Sequence, residues 1–123
     1  LAGLNLVRGV AGGGGVRHDS GLRVEGVHRA GDDLRDGEPA AAAFGPSAVS
    51  VHLVPPGGSP RNHFGVTVSE LEPRGELVRV RGDVRGLAVA ADLTPHAVAE
   101  LDLHPGSRAT FAIKASAVTI YPI

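Results

Sequence analysis

The 123-residue sequence predicts an all-β fold of two tandem small β units, with one short helix in the second. Three observations predict it. Short β-rich runs alternate with Gly and Pro punctuation along the whole chain, the spacing of sandwich or small-barrel strands. One segment repeats at an offset of 69 residues, Leu34 lying over Leu103. A single stretch, "LTPHAVAELDLHPG", interrupts the strand pattern with a helix-start signature.

In chain order the strand runs are "LNLVRGVA", "GLRVEGVH", "AAAAF", "AVSVHLV", "FGVTVSELE", "LVRVRGDV", "RGLAVAADL", "ATFAIKA" and "AVTIYPI". The "GGGG" at 12–15 between the first two is read as a hairpin turn, because it lacks the Lys-Ser/Thr of a phosphate loop. In "LVRVRGDV" the side chains alternate on a period of two, Arg79 and Arg81 on one face and Val78 and Val80 on the other. That is a half-buried strand. In the exceptional stretch Thr94 is a good N-cap, Pro95 takes the first helical position, and Val98 and Leu101 share a face. The spacing predicts a helix over 95–101, after which "HPG" at 104–106 turns the chain back into a strand.

The repeat organises the chain. "LRDGEPAAAAFGPSAVSVH" lies over "LHPGSRATFAIKASAVTIY", with Gly37 on Gly106, Ala40 on Ala109 and "SAVSVH" on "SAVTIY". The starts of the two copies match at a different offset, Asn5 on Asn62, so the second copy holds extra residues between its ends, and the helix sits there. Domains of 1–57 and 58–123 follow, the first a degenerate copy. Their chemistry differs: where the second copy has Ser59, Arg61 and Lys114, the first has Ala2, Leu4 and Gly45. At these aligned positions cations stand in one copy only, the pattern expected if that copy alone holds an anion, since a buried anion needs fixed cations and donors in place of water.

Composition excludes several classes of function. The apolar content is 42% and the charged content 20%, ordinary for a folded globular chain, and the net charge of −1 gives no global pull toward nucleic acid. With three Phe, one Tyr and no Trp, the stacking platforms of a single-strand binder are also missing. There is no Cys for disulfides or thiolate metal sites, and the six His lack metal-site spacing. No apolar run approaches the length of a transmembrane span. No nucleophile, base and orienting acid stand together as a catalytic set, so the chain as given is not expected to be an enzyme and no cofactor is implied. It opens on "LAGLNLVRG", with neither Met nor a signal-peptide pattern, as a piece of a longer protein would.

"SPRN", the Gly-Val strand after it, "ADLTPHAVAELDLHPGS" and "FAIKASAVTIYP" together resemble the Mop domain of the molbindin and TOBE group, along residues 59–122. The whole chain is similar to the C-terminal regulatory region of the ATP-binding subunit of a molybdate importer. The resemblance implies a small OB-type β-barrel that forms a homodimer and binds molybdate or tungstate between subunits. Carried over, the oxyanion contacts are Ser59, Arg61, Lys114 and Ala115, with Thr94 from the loop before the helix, and Asn62 and Ser116 as lesser members. Some relatives have a hydroxyl residue a few positions after the Thr, where this chain has Ala97 and one donor fewer.

The chemistry of these residue types fits a tetrahedral dianion. Arg61 offers a planar fork of donors and Lys114 a compact charge. The oxyanion's metal already carries its oxygens, so hydrogen bonds hold it and no protein metal ligand is needed. A cytoplasmic position at the inner face of the membrane, beside a permease subunit reached through an ATPase domain, is implied for a transporter subunit. A free-standing molybdate buffer or storage protein is the alternative. A Walker A motif in frame before Leu1 would decide between them.

Overall fold

A computed structural model describes residues 4–29, 31–58 and 62–123. Its strands are β1 (Asn5–Gly12), β2 (Gly15–Arg17), β3 (Arg23–Glu25), β4 (Val27–His28), β5 (Pro39–Phe44), β6 (Ser50–His52), β7 (Asn62–Arg74), β8 (Leu77–Val84), β9 (Leu87–Leu93), β10 (Arg108–Ile113) and β11 (Thr119–Pro122). One helix, α1 (Pro95–Glu100), and two 3-10 turns, Pro46–Ala48 and Ala115–Ala117, complete the described elements. The expected all-β, tandem OB-type architecture with one short helix in the second unit is what the chain adopts.

Local chemistry explains the boundaries. Gly13 and Gly14 turn the β1–β2 hairpin with φ of 57° and 82°, the left-handed pair that a two-residue turn requires, so the glycine run is a turn as read. Strand β8 occupies 77–84 as the alternation predicted, with Val80 fully buried and Arg79 and Arg81 on the opposite face. Thr94 caps α1 by accepting a bond from the Ala97 backbone N–H at 3.1 Å, and the helix ends at Glu100, with Leu101 as its C-cap. Strand β7 runs further than the sequence suggested, through Pro73, because β10 pairs only with Asn62–Thr67. Val68 still exchanges backbone bonds with Gly106 and Ser107, and Pro73 lies past that pairing, where a proline is tolerated.

The two sheets are built from both copies. One has the strand order β3-β2-β1-β5-β11-β4 and the other β6-β10-β7-β8-β9. The repeat is therefore visible as structure, β5 and its 3-10 turn matching β10 and its 3-10 turn at the same offset of 69. The final strand of each copy, however, pairs in the other's sheet. Ser50 and His52 of β6 lie beside Ala112 and Thr110 of β10, and Thr119 and Tyr121 of β11 lie beside Ala43 and Ala41 of β5. One continuous apolar cluster joins the sheets, drawing Val7, Val24 and Phe44 from the first copy and Val80, Phe111, Ile113 and Ile120 from the second.

The matched asparagines tie the two sheets to each other. Asn5 donates its side-chain N–H to the Ala90 carbonyl at 2.9 Å and accepts from the Ala90 N–H at 2.8 Å. Asn62 does the same with Glu25, at 2.9 and 2.8 Å. Each buried amide thus ties the first residue of its sheet's long strand to an outer strand of the other sheet. A side-chain amide carries its donor and its acceptor on separate atoms and so satisfies both groups of one residue at once, which an ionised carboxylate, an acceptor only, cannot do.

Two further predictions follow from the packing. A Cβ on Gly9 would collide with the backbone carbonyl of Arg17, and backbone cannot rotate away as a side chain does. Gly9→Ala is expected to cost about 3 kcal/mol, read as a lower denaturant midpoint. The second concerns Arg79, whose Nε and Nη2 donate to the two Asp92 carboxylate oxygens at 2.9 and 3.0 Å, with both side chains largely buried. This hydrogen bond holds the Asp92 carboxyl below the usual carboxylate range, against the opposing effect of burial, with the Arg79, Arg74 and Arg81 charges assisting. A lowered folded-state value means the stabilisation is complete above the unfolded carboxylate range, near pH 4, and is lost as pH falls through the lowered value. In acid titrations of stability the parent should therefore lose more than Asp92→Asn below about pH 4, and a parallel pair of curves would refute this.

Candidate functional site

Lys114 stands at the junction of two elements. It follows Ile113, the last residue of β10, in extended conformation (φ −68°, ψ 140°) and precedes the 3-10 turn Ala115–Ala117, whose Ala117 N–H donates to the Lys114 carbonyl at 2.9 Å. The strand alternation continues through it, so Ile113 points into the core and the exposed Lys114 side chain leaves on the opposite face, where Thr110 and Ala112 are themselves covered by neighbours. At this point the chain crosses from one sheet to the other. Ala115 is half-buried and Ser116 exposed in the same turn, so the Lys-Ala-Ser segment presents itself as one unit.

The other expected residues divide into three groups. Asn62 opposes Ile113 in the β7–β10 ladder, which brings the end of the "SPRN" motif to the residue before Lys114. Its side chain, however, points inward, is 2% exposed and is occupied by Glu25, so its role is that of a lock between sheets. Ser59 and Arg61 lie outside the described residues. Thr94 is exposed, but it follows Leu93, which aligns through Val78 with Pro73 near the far end of β7. Eleven residues of β7 separate that level from Asn62, about 36 Å of strand contour. Along the ladder, Thr94 and Lys114 therefore stand toward opposite ends of β7.

The surroundings of Lys114 include residues the sequence reading did not select. On the same outward face, Ala112 is flanked by His63 on β7 and Ser50 on β6, and Thr110 by Gly65 and His52. The next residue outward on β10 is Arg108, opposite Thr67. The two rows nearest Lys114 carry no carboxylate, and the row of Arg108 and Thr67 continues to Asp83 on β8. Ser50 and His52 belong to the first copy and arrive only through strand exchange, so no spacing rule pointed to them. Among the described residues no group of three His, Cys, Asp or Glu could hold a metal ion, and no helix is long and apolar enough to cross a membrane.

A family model described as "TOBE domain" matches residues 58–120. The chain belongs to the TOBE family. It is 45% identical over 126 aligned positions to "Molybdenum import ATP-binding protein ModC" of Mycobacterium tuberculosis, in both strain CDC 1551 / Oshkosh and strain ATCC 25618 / H37Rv. That alignment takes in 99% of this chain and 34% of the relative, so the TOBE chain spans about a third of the length of the curated relatives it matches. Among solved structures, the cytoplasmic molybdate-binding protein ModG, with molybdate bound, superposes with a TM-score of 0.88 at 23% identity. The superposition covers 100% of this chain and 99% of ModG, and it establishes that this TOBE chain has the ModG fold along its whole length.

Proposed function

We propose that this TOBE chain is the oxyanion-sensing regulatory region of a molybdate-import ATPase, binding molybdate or tungstate on the cytoplasmic side of the membrane. The observation that carries the reading is the 45% identity to ModC across 99% of the chain. Lys114, Ala115 and Ser116 supply the contacts from the crossover turn, Ser59 and Arg61 those from the opening motif. Asn62 holds the strand that follows that motif in register.

Binding is across a homodimer. The placement of Thr94 and Lys114 toward opposite ends of β7 supports a site in which the two residues come from different copies. Thr94 then contributes through its exposed capped turn, where the hydroxyl still has a hydrogen to donate while its oxygen accepts from Ala97. An anion held between subunits favours the subunit arrangement that holds it, and this is the thermodynamic basis for coupling to an attached ATPase and its permease partner. Titration calorimetry with molybdate, tungstate and sulfate, beside mass measurement in solution, tests the reading. Heat with the first two and a dimeric mass are expected; no heat at millimolar concentration would sink it.

A second reading is a free-standing molybdate buffer, for which the likeness to ModG supplies the fold. The same site serves both. The gene's upstream reading frame separates them, since a Walker A motif in frame before Leu1 selects the transporter subunit.

A further inference from the structure

We infer that Ser50 and His52, delivered to the second sheet by strand exchange, complete the anion site headed by Lys114, as a hydroxyl donor and the imidazole that holds it. The inference rests on the oxyanion reading proposed above and adds to it two residues from the copy that lacks the cations.

The ladder register fixes the placement. Ser50 lies opposite Ala112, so Lys114 is its diagonal neighbour, about 7–8 Å away between Cα atoms and within reach of a lysine side chain. Both side chains leave on the outward face, where Ser50 is exposed and His52 half-buried. The Ser50 Oγ is 2.9 Å from His52 Nε2 and 3.2 Å from the Ala112 carbonyl oxygen. A carbonyl only accepts, so Ser50 donates to Ala112, and Nε2 carries the hydrogen that donates to Oγ. The Ser50–Ala112 bond is the longer of the two and lies at the edge of the usual range.

That arrangement is poised for exchange. An oxyanion neutralised by Lys114 is a stronger acceptor than a neutral carbonyl, so the Ser50 hydrogen turns from Ala112 to the anion while His52 keeps the oxygen in place. The two rows nearest Lys114, His63–Ala112–Ser50 and Gly65–Thr110–His52, hold no carboxylate to repel the anion. The pseudo-equivalent face supplies an internal control. There Thr119 and Tyr121 of β11 stand where Ser50 and His52 stand on β6, beside Ala43 and Ala41, but the position matching Lys114 is Gly45. The backbone is the same and the cation is missing.

The test is calorimetric titration of the full chain with sodium molybdate, alongside thermal melting of each variant. Ser50→Ala is expected to weaken binding about tenfold and His52→Ala about three- to tenfold, the loss of one charge-assisted donor and of its support. Melting temperatures should stay within about 2 °C of the parent, as for exposed substitutions. Thr119→Ala should bind as the parent does, and Ser50→Thr, which keeps a hydroxyl, should retain most of the affinity. If Lys114→Ala loses binding while Ser50→Ala and His52→Ala keep it, the inference is overturned and the oxyanion reading stands. If the parent itself binds no molybdate, both fall.

Discussion

Lys114→Ala is expected to weaken molybdate binding about 10- to 150-fold while leaving the melting temperature of the protein unchanged. The range is that of one hydrogen bond to a charged group, about 1.5–3 kcal/mol. Lys114 is exposed and caps no buried group, since the bond that closes its turn is made by its backbone carbonyl. Removing its side chain therefore takes away charge without opening a cavity. The two nearest rows hold no carboxylate among the described residues that would need the ammonium as a partner. Arg61→Ala should act in the same direction, through loss of a forked donor. Calorimetric titration with molybdate measures both, and undiminished affinity in Lys114→Ala would remove the crossover turn from the site.

Asn62→Ala should behave in the opposite way, as a stability variant, losing about 3 kcal/mol, or about 10–15 °C in melting temperature for a chain of this size. Two hydrogen bonds disappear together, and the Glu25 N–H and carbonyl that faced the amide are left to find other partners at a buried contact. Asn5→Ala removes the equivalent pair at Ala90 and is expected to cost a similar amount. Because each asparagine ties one sheet to the other, the double variant tests whether the two locks act as one. If they do, its loss of stability will differ from the sum of the single losses by more than the few tenths of a kcal/mol expected of independent sites. A melting temperature for Asn62→Ala within 2 °C of the parent would show that the amide is dispensable to the fold. Only then would a direct ligand role for Asn62 be the better account of it.

The contrast between Lys114 and Asn62 shows where sequence patterns carry information. Alternation in "LVRVRGDV", glycines at 12–15 and a Thr-Pro helix start are local rules, satisfied within a few residues, and β8, the first hairpin and α1 appear where they predict. The extension of β7 through Pro73 was not legible, because a proline's tolerance depends on whether a neighbouring strand needs its N–H. Among the candidate site residues, the grouping of Lys114, Ala115 and Ser116 was legible as contiguous sequence. The separation of Thr94 from Lys114 was not, since it is set by the register of β7 against its neighbours.

By itself, the sequence determined that the chain is a duplicated β unit, that its copies differ in charge, and which residues in the two copies correspond. Those facts reside in residue types and offsets. Only the tertiary structure decided that the last strand of each copy joins the sheet of the other, and hence that Ser50 and His52 stand beside Lys114. The physical reason is that a strand edge presents the same N–H and C=O groups to either copy's final strand. "SAVSVH" and "SAVTIY" are near-equivalent partners in ladder chemistry, so local pattern alone does not choose between them, just as it does not reveal that the asparagines tie the sheets together through partners 85 and 37 residues away.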